Sequence, residues 1–122
     1  MANPYLEMEL RTAPPELVVG RLLDRAVAMV SAAAEQRGLS PAESTRAVAR
    51  AVDIVSELRG SLDLEAGGEI AANLDGLYGF VTVKLMQSGA KGEGTELAEA
   101  LAVLEHLAGT WAELIAQREE VA

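Results

Sequence analysis

The chain holds one histidine and no cysteine, so few of its groups could do chemistry. His106 is the first to weigh. On a helical scaffold a histidine can ligate a carboxylate-bridged di-iron centre, which requires Glu-x-x-His pairs on two helices. Three residues before His106 stands Val103, and no second histidine exists. A lone helical histidine can also accept a phosphoryl group when a lysine and a glycine follow it at fixed places and steady the phosphate. Here the run is His106-Leu107-Ala108-Gly109-Thr110, with the lysine missing and Glu99, Glu105 and Glu113 nearby. Their like charge would repel a phosphate, and His106 reads as a surface residue on an acidic helix. Serines and threonines are scattered, and one histidine cannot complete an acid–base set with them. Gly67-Gly68 follows no strand and has no basic neighbour, so it is no phosphate cradle. The expectation is a protein without catalytic residues, metal or cofactor.

Composition narrows the partners. The 122 residues suit one domain. A formal charge of −9 disfavours nucleic acid and anionic membrane surfaces. No apolar run approaches the ~20 residues of a membrane span, and no charged-then-apolar leader opens the chain. A cytoplasmic domain without membrane insertion is expected.

The elements that must position any binding residues are helices. Residues 1–14, with Pro4 and Pro14, read as a flexible N-terminal arm, and residues 15–122 as the folded domain. Pro15 fits a first helical turn. Val19, Leu22, Leu23, Ala26, Val30 and Ala33 then recur at helical spacing up to Arg37, and Gly38 caps. Ser40-Pro41-Ala42-Glu43 has the form of a capping box. It opens a helix bearing Val48, Ala51, Val52, Val55, Leu58 and Leu62, expected to end before Gly67-Gly68. A third helix runs to about Gly89 with Ile70, Leu74, Leu77, Val81 and Leu85 on one face. After a glycine-rich loop, Thr95 can cap a fourth. There Leu97, Leu101, Leu104, Ala108, Trp111 and Ile115 form a bundle stripe, widened by Leu107 and Leu114. Short connections make neighbours antiparallel, so the expected fold is all-α, an up-down-up-down four-helix bundle.

Two irregularities point toward binding. Residues 91–122 hold seven acids against Lys91 and Arg118, which leaves the second and third helices freer to present an apolar face. Gly76 and Gly79 sit in mid-helix, each costing about 1 kcal/mol against alanine. Either a neighbouring helix packs unusually close, or a groove opens beside Tyr78 and Phe80 for a foreign chain.

The same region carries a resemblance. Leu58-Arg59-Gly60-Ser61-Leu62-Asp63, Gly67-Gly68-Glu69-Ile70-Ala71-Ala72-Asn73-Leu74 and Leu77-Tyr78 resemble the helix 2 to helix 3 passage of the flagellar secretion chaperone family, FliS. Asn3-Pro4-Tyr5, Thr12-Ala13-Pro14-Pro15, Leu22-Leu23-Asp24 and Trp111 extend it along the chain. Leu23 departs from the family's tyrosine, Gly20-Arg21 from an apolar pair, and Gly79-Phe80 from Asp-Tyr.

The resemblance implies a chaperone that binds the C-terminal segment of flagellin, prevents its premature polymerisation and delivers it to the flagellar export gate. A homodimer without client is a further expectation. The alternatives are an adaptor for another flagellar subunit or a regulator such as an anti-sigma factor and, more remotely, a phosphotransfer-like domain. The residues expected to meet the partner are Ile54, Leu58, Leu62, Leu74, Leu77, Tyr78 and Val81, with Tyr5 covering part of the groove until the client arrives. For Leu58 and Leu74 the same spacing equally suits ordinary core.

Overall fold

A computed structural model describes residues 15–35, 38–88 and 94–121. The arm over residues 1–14, Tyr5 included, lies outside them. Four helices account for nearly all of the described chain, and it contains no strand: α1 (Pro15–Glu35), α2 (Pro41–Gly60), α3 (Leu64–Gln87) and α4 (Glu96–Val121). At about 1.5 Å per residue they are roughly 30–40 Å long. Each helix packs on its neighbours in sequence and α1 closes on α4, while the diagonal pairs α1–α3 and α2–α4 stay apart. The result is the four-helix bundle that the spacing predicts. The two interfaces made by α1 are more extensive than the two made by α3.

The caps explain where the helices begin. The Ser40 hydroxyl accepts from the Glu43 N–H at 3.1 Å, with Pro41 at the first turn. Gly38, at φ +72°, occupies the left-handed region that ends many helices. Thr95 stands at the N-cap position of α4, where its backbone carbonyl accepts from the Glu99 N–H and its hydroxyl donates to the Glu99 carboxylate at 2.7 Å.

The α2–α3 junction differs from the sequence expectation. α2 stops at Gly60 rather than running past Leu62, because Ser61 turns its hydroxyl onto the Leu58 carbonyl at 2.8 Å. The Asp63 side chain then accepts from the Ala66 N–H at 3.0 Å and starts α3 three residues later. Gly68, at φ +53° and ψ −129°, kinks α3 near its start. Beyond the kink Ala71, Tyr78, Val81 and Leu85 face inward, while Ile70 is 74% exposed.

The core is aliphatic and small. Val18, Leu22, Leu23, Ala26, Val30 and Ala33 of α1 meet Ala51, Ile54, Val55 and Leu58 of α2, the inner face of α3, and Leu97, Ala100, Leu104 and Leu107 of α4. No polar or charged residue is buried among the described residues. Trp111 is half-buried and lies edge-on over Gly20, where a Cβ would come 3.3 Å from its Cδ1.

The glycines of α3 separate two physical roles. Gly68→Ala forces a side chain into a conformation that L residues avoid and is expected to lower stability by about 1–3 kcal/mol. Gly76 is helical and faces open space, so Gly76→Ala is expected to raise stability by about 0.5–1 kcal/mol. Urea denaturation of the two variants should give shifts of opposite sign.

Candidate functional site

The sequence-predicted binding residues do not form one surface. Ile54, Leu58, Tyr78 and Val81 are buried core, Tyr78 at only 3% exposure, and none offers an accessible face in this conformation. Leu62 and Leu74 are half-buried at the margin of that core. Leu77, 38% exposed, is the member of the set that reaches the outside. α2 exposes no large apolar residue, and Glu43, Arg46, Arg50, Asp53, Glu57 and Arg59 are among its exposed positions.

The accessible apolar surface belongs to α3. Leu77, Phe80, Val83 and Met86 are 38%, 41%, 52% and 73% exposed, and Leu64 and Ile70 extend the series toward the kink. Glu69, Asn73, Gly76, Phe80, Val83 and Gln87 recur at steps of four and three, and every one is exposed. That spacing forms a straight seam along a helix, the geometry that receives another helix lengthwise. Its middle is Gly76, Phe80 and Val83, flanked by Leu77 and Met86. Apart from Leu77, these residues escape a reading that assigns each helix one apolar face. The missed signal was that α3 is apolar around most of its circumference, which in a bundle leaves some of that surface outside.

Charge is kept off the middle of this seam. From Ala71 to Gln87 the helix carries only Asp75 and Lys84. Arg59 of α2 crosses to Asp75, donating from Nε to Oδ1 at 2.7 Å and from Nη2 to Oδ2 at 3.4 Å. The guanidinium passes close over Gly79, where a Cβ would sit 3.3 Å from Arg59 Nη1. Its neighbour Gly76 meets nothing and leaves the seam open. On the other flank Lys84 Nζ lies 3.0 Å from Glu99 Oε2 of α4 and 5.5 Å from the Phe80 ring centroid. The hydrogen bond from Arg59, aided by its charge, holds the Asp75 carboxyl below its ordinary value and raises Arg59 in turn. Thr95 first, then Lys84, lowers Glu99. Burial raises the Tyr78 phenol.

No group of His, Cys, Asp and Glu that could hold a metal occurs among the described residues, and His106 is an exposed residue of α4. No helix of the described residues is long and apolar enough to cross a membrane. The arrangement is suited to contact with another protein.

The family profile described as "Flagellar protein FliS" matches residues 1–118. The chain belongs to the FliS family. It is 31% identical over 108 residues to the flagellar secretion chaperone FliS of Vibrio cholerae serotype O1, covering 87% of this chain and 79% of that protein. To the protein of that name from Salmonella typhimurium it is 28% identical over 115 residues, 93% of this chain and 85% of the relative. The flagellar secretion chaperone FliSB of Pseudomonas aeruginosa is 34% identical over 64 residues, about half of each chain. A four-helix member of a flagellar secretion chaperone family is a protein made to bind a flagellar client.

The two ion pairs make stability depend on acid. Asp75 and Glu99 are both lowered from ordinary values of 3.8 and 4.5, so their contribution is present above those values and is lost as the pH falls through the lowered ones. Tm should therefore fall on acidification below about pH 4.5. The Asp75→Asn/Glu99→Gln variant should start lower and show a flatter decline, as read by thermal melts across pH 2–6.

Proposed function

We propose that this FliS family member is a cytoplasmic export chaperone for flagellin. It holds flagellin's C-terminal segment, prevents premature polymerisation and delivers it to the flagellar type III export gate. The reading rests on one observation: an exposed seam on α3 whose middle, Gly76, Phe80 and Val83 with Leu77 and Met86 beside it, carries no charge, in a bundle whose relatives are named flagellar secretion chaperones. Such a surface suits an amphipathic segment that would otherwise associate with its own kind, and ordering that segment lowers the net affinity and permits release.

Residues along α2 and α3 divide the work. Leu77, with Leu62 and Leu74 at the margin, meets the client beside Phe80, Val83 and Met86. Ile54, Leu58, Tyr78 and Val81 support that wall from within. Tyr5, on the N-terminal arm, covers part of the surface until flagellin arrives, and a homodimer through the same apolar surface is the client-free form. No step of this work needs catalysis, so the protein acts as a binding module rather than an enzyme.

Purified protein mixed with its own organism's flagellin should give a stable complex that disappears when the C-terminal segment is removed. Equal binding to both forms overturns the reading in favour of an adaptor for another flagellar subunit or regulator. Phe80→Ser and Val83→Asn should each weaken flagellin binding about tenfold or more with little change in Tm, because both side chains are exposed. Leu58→Ala should instead lower stability by about 2–5 kcal/mol, as for a buried leucine. Calorimetric titration and urea melts separate the two classes.

A further inference from the structure

We propose that α3 opens as a unit ahead of the rest of the bundle, hinged at Gly67-Gly68 and latched by the ion pairs Arg59–Asp75 and Lys84–Glu99. The proposal concerns the protein alone and does not depend on the identity of a client.

Three independent features carry it. The first is the balance of apolar contacts. Over 24 residues α3 buries Ala71, Tyr78, Val81 and Leu85, as many residues as α2 or α4 and fewer than the six of α1, but its two interfaces are the least extensive in the bundle. Six of the eight large apolar residues exposed among the described residues lie on α3 and are exposed whether or not it opens. The cost of leaving is set by the contacts given up, and those of α3 are the smallest set. Regions with few buried apolar contacts open first.

The second feature is the hinge. Gly68 holds a backbone conformation outside the helical region, so α3 is already interrupted there. Gly67 adds a second position without a side chain, where a Cβ would lie 2.6 Å from that of Ala71. Rotation at these two residues moves Ile70–Gln87 and leaves the Asp63 cap and the end of α2 in place.

The third is the placement of the latches. Among the described residues, the ion pairs from α3 to its neighbours are one to α2 and one to α4, nine residues apart along the helix. All four side chains reach solvent, so each pair is weak and separately breakable. No buried polar group adds a tie among the described residues. Opening turns Tyr78, Val81 and Leu85 outward, so side chains that are core in the closed bundle become accessible without global unfolding.

Native-state hydrogen exchange of the full chain at neutral pH tests the device. Amides of residues 71–85 are expected to exchange at least about tenfold faster than those of residues 22–33, after correction for intrinsic rates. In Asp75→Asn/Glu99→Gln the α3 amides should accelerate a further two- to fivefold or so, with α1 unchanged. Both substitutions are isosteric and exposed, and each single variant serves if the pair fails to fold. One shared rate for α1 and α3 in the wild type overturns the proposal. So does a double variant that speeds all helices equally or leaves α3 unchanged.

Discussion

Small residues at the helix contacts decide how close the four helices lie, and the rest of the molecule follows from that spacing. Ala26, Ala33, Ala51 and Ala100 belong to the buried core cluster. Alanine at a helix contact lets axes approach toward the short end of the usual ~8–10 Å range, and the rest of the interior is filled mostly by leucines and valines. Such a core encloses little. Apolar surface in excess of what it can enclose must stand outside, and the sequence puts that excess on α3.

Much of the fold is written locally. Ser40 and Pro41 start α2 as their types predict, Gly38 takes the left-handed conformation expected after α1, and the four stripes fall on the four helices. The α2–α3 junction was less readable. Ser61 and Asp63 compete with the helix for backbone hydrogen bonds, and both can also sit in a helical turn, so periodicity alone carried α2 past Leu62.

The candidate surface was harder to find than the fold for a related reason. Spacing marks the apolar residues of α3 but not which of them turn inward, because the helix is apolar around most of its circumference. Val81 and Leu85 are buried as the spacing has them, Ile70 and Leu77 are exposed, and Tyr78 takes an inner place. An aromatic with a hydroxyl suggests a contact for a partner; here burial of the ring on the inner face outweighs that suggestion. Phe80 lies on the outer side of α3, 41% exposed, near Gly76, which meets nothing. The mid-helix glycines point to the same stretch, although they do not distinguish close packing from an open groove.

The two mid-helix glycines differ in their surroundings: the Arg59 guanidinium lies against Gly79, and Gly76 meets nothing. The crossing of Arg59 draws Asp75 to one flank, just as Glu99 draws Lys84 to the other. The same two pairs thereby clear the exterior of α3 and supply its polar attachment to the bundle. A surface suited to an apolar client requires that charge be led away to the edges, and charges at exposed edges hold a helix only weakly. A charge-free face and a loosely held helix are thus two consequences of one placement of charge.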